Sequence, residues 1–360
     1  MDQRIIEMGL IWGLILLVVV LMLSEDRFSK KQQTKIIYCL AIGISVAASI
    51  RTIGWDIPNY QVLYRDYFYP FWDYFKDISS FLDQSYEPLN YILALIFGPN
   101  GFQLYLFVTC IFPFFVVCYL SKKQNKPLLF FGTFFLLNLG MIDQSRQFLS
   151  SGFTLLSYVA TSYAFTFFWL LFATMSHFGV LPSLIIGFFK KRRPSQCNLL
   201  FLGIVIFCIG SLVSSDNLSS LIGTAAGRMD GYFSGFFSAN NFLRIIMYFY
   251  VPVTTIILFL SHREILQIAN HDSDQYRLMQ QNQAANSAMV ACVVFVALLA
   301  STGSDVIATR IYNACAIGNF LVFGKYLETY RNSKKFVLIL LWLISVDIVL
   351  SSQYFYGYVS

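Results

Sequence analysis

The chain contains 360 residues, of which 57% are hydrophobic and only 12% are charged. Soluble domains carry about 25% charged residues, so this composition excludes an ordinary soluble enzyme and a disordered chain. The net charge of +6 does not indicate nucleic-acid binding, because Lys and Arg lie between apolar runs and form no basic stripe. Unbroken apolar runs, such as 11–23 and 337–344, instead favour a polytopic helical membrane protein.

The cysteine and signal patterns narrow the class further. Seven cysteines are scattered, with no CxxC and no Cys/His ligand spacing, so we expect neither a metal site nor a disulfide framework. No cofactor and no nucleic-acid partner is predicted. The first apolar run lacks a basic start and a cleavage site, so we expect it to be retained as a membrane span.

A membrane-spanning helix needs about 20 apolar residues. About eleven segments fit this length, and segment 87–98 is too short and is predicted to be re-entrant or interfacial. The predicted spans are 5–23, 35–53, 102–120, 127–142, 146–162, 165–189, 197–213, 242–261, 286–303, 308–327 and 336–352. The predicted fold is therefore a single all-α polytopic membrane domain over 1–360, with outer loops near 54–86 and 214–241.

Basic clusters predict the orientation of these spans. Lys and Arg gather at 27–35, 122–126, 190–193 and 331–335, and such clusters mark cytoplasmic loops. The termini and the loop near 54–86 then face the opposite side. Two clusters on one side require an even number of crossings between them, so the 165–189 segment is predicted to be broken or re-entrant near His177 and Pro182.

Five arginines depart from the cytoplasmic bias and lie at the other ends of spans or in the adjoining loops. They are Arg51, Arg146, Arg228, Arg244 and Arg310. Arginine stays charged and binds phosphate with a bidentate fork, so the set predicts an anionic ligand on that side. The alternative for each one singly is a snorkelling residue at a helix end.

Three further ionisable residues are candidates for acid–base work. Asp56 follows Arg51 closely, and its alternative is a solvated turn residue. Glu87 precedes a proline, and an acidic first turn of a helix alone explains it well, so Glu87 ranks below Asp56. His177 lies inside an apolar segment, where a lone histidine is more often a packing residue.

Missing motifs also inform the prediction. The chain has no phosphate-binding P-loop motif, and its 54–86 loop has no D-x-D pair, which weakens a metal-dependent glycosyltransferase. Acidic residues are scarce within the apolar segments, which disfavours a proton-coupled transporter.

Five short motifs occur in an order that resembles the EpsG family of Wzy-like polymerases of exopolysaccharide and O-antigen. The resemblance covers roughly residues 35–330, although residues 162–166 lack the basic residues common in that family at this place. The motifs are Arg51-x-x-Gly54-x-Asp56-x-x-x-Tyr60, Tyr86-Glu87-Pro88-Leu-Asn90-Tyr91, Ser145-Arg146-Gln147-Phe148, Ser176-His177-Phe178-Gly179 and Arg310-x-Tyr312.

The resemblance implies a GT-C-like polymerase of the bacterial inner membrane, with its active site facing the periplasm. It would join undecaprenyl-diphosphate-linked oligosaccharide repeats without a metal, releasing undecaprenyl diphosphate. Membrane lipid is an expected partner. Whether a chain-length regulator protein also binds is left open.

The same resemblance assigns roles to individual residues. Arginines would bind the diphosphate, and aromatic rings of the 54–86 loop would stack on sugars. The binding set is Arg51, Arg146 and Arg310, followed by Arg228 and Arg244, with Tyr60 and Tyr312 beside them. The candidate bases, in order, are Asp56, His177 and Glu87.

Three alternatives remain open. An O-antigen ligase or another lipid-linked glycosyltransferase differs only in its acceptor. A flippase of lipid-linked oligosaccharide would also use an arginine-lined cavity, although it needs binding groups along the whole path. A non-catalytic length regulator predicts that Arg→Ala changes leave the glycan polymerised.

Overall fold

The computed structural model describes residues 3–52, 57–66, 68, 88–160, 162–177, 180, 312–313 and 316–356, with seven single positions between 253 and 284. Within these residues, all regular secondary structure is helical. The predicted spans at 197–213 and 286–303 and the loop near 214–241 lie outside the described residues, as does nearly all of 242–261.

The described residues form ten α-helices and one short 3-10 helix, Glu25–Arg27. In chain order the α-helices are α1 Gln3–Leu23, α2 Lys30–Ile50, α3 Ile57–Asp66, α4 Pro88–Phe97, α5 Phe102–Ser121, α6 Pro127–Asp143, α7 Ser145–Val159, α8 Tyr163–Ser176, α9 Asn319–Thr329 and α10 Lys334–Tyr356.

Helix α2 begins earlier and ends earlier than the predicted span at 35–53. Ser29 caps its start, because the Ser29 Oγ accepts from the Gln32 N–H while the Gln32 side chain accepts from the Ser29 N–H. The polar first turn of α2 therefore belongs to the helix. At the other end Arg51 is extended and forms the C-cap.

Two segments differ from the sequence prediction. The 54–86 region was predicted to be a loop, but it contains α3, in which Pro58 occupies the first turn and Ile57 and Tyr64 bury one face. The predicted span at 308–327 is interrupted by a turn at residues 317–318. A Cβ at Gly318 would lie 2.9 Å from the Tyr158 ring, so only glycine permits this close approach.

Helix α8 ends inside the predicted 165–189 segment, and whether that segment is broken or re-entrant stays a prediction. The helix ends at Ser176, and His177 is extended, with φ −158° and ψ 113°. The residues from 181 to 189 lie outside the described residues.

Two helices of the described residues, α2 and α5, are long and apolar enough to cross a membrane. The apolar stretches 9–23, 88–97, 127–139 and 163–176 are shorter. Together with the composition, these helices agree with a membrane protein; the number of spans predicted for the whole chain stays a prediction.

Helix α6 lies at the centre of the described bundle and contacts α1, α2, α5, α7, α9 and α10. Its Phe130, Phe131 and Phe134 are fully buried in the main hydrophobic core. Gly324 of α9 packs against Phe130, since a Cβ at Gly324 would lie only 2.7 Å from that ring. The phenylalanine side chains therefore fix how the neighbouring helices approach α6.

Charged residues from three inter-helix connections meet at one end of this bundle, which we call the ion-pair end. Asp26 pairs with Lys126 and also with Arg331, whose Nη2 lies 3.1 Å away. Glu25 is fully buried and accepts from the Leu128 N–H at the start of α6, at 2.8 Å. The connections α1–α2, α5–α6 and α9–α10 are thereby held together, and three of the four predicted basic clusters share one end.

Candidate functional site

The opposite end of α2 lies about 30 Å from the ion-pair end, since 21 residues rise 1.5 Å each. We call it the Arg51 end. Arg51 Nη2 donates to the carbonyl oxygen of Ile142 at 2.8 Å. Ile142 lies in the last turn of α6, where carbonyl groups lack partners within the helix. Arg51 therefore ties the end of α2 to the end of α6.

Arg146 begins the next helix, only four residues after Ile142. The connection between α6 and α7 is the single residue Gln144, so the end of one helix and the start of the other adjoin. The bond from Arg51 to Ile142 thus brings two arginines of the predicted binding set to the same corner of the bundle. A guanidinium group binds a phosphate or a carboxylate with a planar fork, so two arginines at this corner suit an anionic ligand.

Tyr60 of α3 joins this corner. The Arg146 guanidinium carbon lies over the Tyr60 ring, 5.2 Å from its centroid, a distance typical of a cation–π contact. Tyr60 is 6% exposed. Because an aromatic ring attracts a cation to its face, Tyr60 fixes where the Arg146 charge lies. Three residues of the predicted binding set, Arg51, Arg146 and Tyr60, are therefore brought together.

An acidic side chain of α1 fastens the residue after Arg51. The Glu7 Oε1 accepts from the Thr52 N–H at 3.0 Å and from the Thr52 Oγ1 at 2.7 Å. This pair of bonds holds the backbone immediately beyond the C-cap of α2. The backbone of Arg51 is therefore held beside α1, while its side chain reaches α6.

Helix α3 is anchored by a second tyrosine, one turn after Tyr60. Tyr64 is 1% exposed, and its hydroxyl donates to the Gly98 carbonyl at 2.7 Å. Its ring packs edge-on against Phe102 and Phe68 and lies 5.4 Å from the Tyr105 ring, between centroids. Tyr64 was predicted to offer a sugar-stacking surface, but this packing covers its ring with protein. Tyr64 is a core residue that holds α3 in place.

Asn90 links the base of this aromatic cluster to the end of α8. Its Nδ2 donates to the Ser176 carbonyl at 2.6 Å, and its Oδ1 accepts from the Tyr105 hydroxyl at 2.8 Å. Asn90 is fully buried. These two bonds join α4, α5 and α8 at the residue that precedes His177.

The His177 segment is held by its backbone. The His177 N–H donates to the Ala173 carbonyl at 3.0 Å, and its own carbonyl accepts from the Val180 N–H at 3.1 Å. The side chain is half-buried. His177 therefore stands at the end of a helix in a fixed, extended backbone, as predicted from the sequence.

The structure does not describe every residue of the predicted site. Tyr312 is buried in the main hydrophobic core, the cluster that also contains Ile142. The remaining candidates lie outside the described residues, and their predicted roles stay predictions. They are Asp56, Glu87, Arg228, Arg244 and Arg310.

Three residues of this end were missed by the sequence prediction, namely Glu7, Asn90 and Tyr105. Each is a polar side chain in an apolar helix, and this feature of the sequence could have marked it as a candidate. Glu7 is the acid of α1 within an otherwise apolar stretch, and Asn90 lies in the motif already noted around Glu87. No group of three or more His, Cys, Asp and Glu side chains comes together within the described ranges.

The chain was compared with protein families, curated proteins and solved structures. The model of the EpsG family matches residues 10–360, nearly the whole chain. No curated protein and no solved structure matches the chain.

Proposed function

This chain belongs to the EpsG family, a family of membrane proteins associated with exopolysaccharide biosynthesis, and from that premise we propose that it polymerises oligosaccharide repeat units. The substrates are repeats carried on undecaprenyl diphosphate, and the site is the Arg51 end. The observation that carries the proposal is the convergence of Arg51 and Arg146 at one corner, with Tyr60 over the second guanidinium.

The proposed reaction transfers the growing glycan from its lipid diphosphate to a new repeat. A hydroxyl oxygen of the acceptor attacks the anomeric carbon of the donor. The bond from that carbon to the diphosphate oxygen breaks, and its electron pair leaves with undecaprenyl diphosphate. The hydroxyl proton passes to a base of the protein.

Negative charge grows on the diphosphate as this bond breaks. Arginines that are already held in place stabilise that charge without reorganising during the reaction. The bond from Arg51 to Ile142 and the contact of Arg146 with Tyr60 supply such preorganisation. In the proposed roles, Arg51 and Arg146 bind the leaving diphosphate, and Tyr60 orients Arg146. Arg310, Arg228 and Arg244 are further proposed contacts of the substrate, whereas the burial of Tyr312 in the main hydrophobic core disfavours the contact predicted for it.

The base is proposed among three residues. Asp56 follows the Arg51 corner closely in the chain, His177 ends α8, and Glu87 precedes α4. One of them would take the proton of the acceptor hydroxyl. The site is proposed to face the periplasm of a bacterial inner membrane, because the basic clusters gather at the other end of the bundle.

The test is a glycan ladder from cells that lack the gene and carry a complementing copy. We expect the deletion to make glycan with one repeat only, and the wild-type copy to restore the ladder. Arg51→Ala, Arg146→Ala and Asp56→Asn should fail to restore it at normal protein levels. Arg65→Ala is the matched control, because Arg65 is an exposed residue of the same α3 that carries Tyr60.

The other outcomes identify the rival functions. Complete loss of surface glycan in the deletion would contradict polymerisation and favour a ligase or a flippase. A full ladder with Arg146→Ala would refute the arginine assignment.

A further inference from the structure

Asn90 makes an interhelical connection that the proposed reaction has not used. The last carbonyl groups of an α-helix have no partner within the helix. The carbonyl of Ser176, at the end of α8, receives the Asn90 Nδ2 at 2.6 Å. Asn90 is thus a side-chain cap for the helix end on which His177 stands.

The orientation of the Asn90 amide is fixed by chemistry. A carbonyl oxygen only accepts hydrogen bonds, so the NH₂ group of Asn90 must face Ser176. The amide oxygen then faces Tyr105, whose hydroxyl donates at 2.8 Å. The nitrogen and the oxygen of this fully buried amide both have hydrogen-bond partners. Turning the amide by 180°, so that its nitrogen and oxygen exchange places, would break both bonds.

The connection joins two parts of the proposed site. Asn90 lies in the first turn of α4, three residues after Glu87, and Ser176 directly precedes His177. The bond between them therefore fixes the start of α4 relative to the His177 segment. Tyr105 ties the same amide to α5, whose neighbour Tyr64 anchors the helix of Tyr60.

We propose that Asn90 is a positioning residue of the active site, which holds His177, one of the three proposed bases, and the start of α4 in the geometry that transfer requires. This inference rests on the proposed polymerase function. A displacement of about 1 Å at a reacting group lowers a rate by about 100-fold. The loss of one buried hydrogen bond that orients the segment is therefore expected to lower turnover strongly while leaving substrate binding by the arginines in place.

The sharpest test replaces the amide by a carboxyl group of the same shape. In Asn90→Asp the protonated carboxyl can donate to the Ser176 carbonyl and accept from Tyr105, as the amide does. In the ionised form a carboxylate oxygen, which can only accept, would face the Ser176 carbonyl oxygen, which also only accepts. Burial raises the pKa of such a carboxyl, so the protonated form persists at mildly acidic pH. Among the described titratable groups, Tyr105 of α5 contacts this position, and His177 of α8 follows the carbonyl that it holds.

The experiment measures elongation by the full-length protein in nanodiscs, with the lipid-linked repeat that accumulates in the deletion strain as substrate. We expect the rate of Asn90→Asp relative to wild type to fall about 30-fold from pH 5.5 to pH 8. Asn90→Leu should be slow at every pH. The KM of both variants should stay within about threefold of wild type, because the arginines lie on other helices.

Asn138→Asp is the matched control. Asn138 is also a buried asparagine, but its Nδ2 donates to the Phe134 carbonyl within its own helix, at 2.8 Å. Its relative rate should not change with pH.

Three results would overturn the proposal. One is a pH-independent relative rate for Asn90→Asp, and another is a wild-type rate for folded Asn90→Leu. The third is a folded fraction, measured by gel filtration at each pH, that falls in parallel with the rate, since Asn90 would then serve stability alone. If Asn90→Leu does not fold, the pH series of Asn90→Asp decides. Failure of the wild-type protein to elongate would instead refute the polymerase function.

Discussion

The guanidinium carbon of Arg146 lies 5.2 Å from the centre of the Tyr60 ring, and this contact joins the start of α7 to α3. A cation–π contact contributes about 0.5–2 kcal/mol. We therefore expect Tyr60→Leu to lower elongation by about tenfold, because Arg146 loses its fixed place, whereas Tyr60→Phe should keep most of the activity.

The measurement for Tyr60 is ladder length in complemented cells at matched protein levels. Tyr119→Leu is the control, because Lys123 lies over the Tyr119 ring, 4.0 Å from its centroid, at the ion-pair end. That change removes a similar contact far from the site and should leave the ladder intact. Equal effects of the two changes would contradict a special role for Tyr60.

Arg51 ties α2 to α6 through Ile142, and it is proposed to bind the diphosphate. One pair of substitutions can separate these two roles. Arg51→Lys keeps the charge and a donor for the Ile142 carbonyl but loses the planar fork for the proposed diphosphate, and a charge-assisted hydrogen bond to the diphosphate contributes about 1.5–3 kcal/mol. We expect Arg51→Lys to reduce elongation by at least about tenfold, with little change in thermal stability, and Arg51→Ala to reduce both. Arg65→Lys is the exposed control. Full activity of Arg51→Lys in the nanodisc assay would show that charge alone suffices.

The sequence predicted the residues of this end better than its shape. Arg51 and Arg146 were each predicted near the end of an apolar span, because a charged residue stops such a run, and His177 was predicted at a break inside the 165–189 segment. The structure puts all three at helix ends. Hydropathy along the chain is sufficient to locate the two arginines, whereas the break at His177 was predicted from Pro182 and from the even number of crossings.

Helix α3 and the Asn90 connection could not be obtained in this way. The 54–86 region is rich in aromatic and acidic residues, and Ile57 and Tyr64 form a buried face of α3 only when α4 and α5 supply partners. The bonds of Asn90 join residues 15 and 86 positions apart in the chain. Such pairings depend on tertiary packing, which local periodicity does not contain.

The ion-pair end predicts a pH-dependent stability. Burial raises the pKa of Glu25 to about 7 from 4.5, despite the Leu128 N–H and the nearby Lys126 and Arg331. A raised pKa in the folded state favours the folded protein below pH 4.5, and this contribution is lost as pH rises through 7. The loss amounts to as much as about 3 kcal/mol. Lys126 lowers the pKa of the exposed Asp26, so its contribution disappears only in more acidic solution.

We therefore expect the melting temperature of the detergent-solubilised protein to fall between pH 5 and pH 8, and Glu25→Gln to flatten this slope. Intrinsic fluorescence during heating gives both values. Glu328→Gln changes a carboxylate of α9 that pairs with Lys325, and it should keep the wild-type slope. An unchanged slope in Glu25→Gln would contradict the assignment to Glu25.

Two glycines provide a matched pair for the packing of the core. A Cβ at Gly324 would lie 2.7 Å from the Phe130 ring, whereas a Cβ at Gly43 of α2 would meet nothing within 4 Å. We expect Gly324→Ala to destabilise the protein by about 1–3 kcal/mol through overpacking. Gly43→Ala should stabilise it by as much as about 1 kcal/mol, because alanine favours the helix. Thermal unfolding measures both, and equal shifts would contradict the close approach of α9 to α6.

The two hydrogen bonds that Glu7 accepts from Thr52 place the first turns of α1 beside the Arg51 corner. The start of α1 is consequently a reporter for the compartment that the site faces. A short epitope or a cysteine introduced ahead of Gln3 would be reached by an impermeant reagent from the same aqueous phase as the arginines. A label at Arg27, close to the ion-pair end, would be reached from the opposite phase, so intact cells and inverted vesicles should give reciprocal patterns.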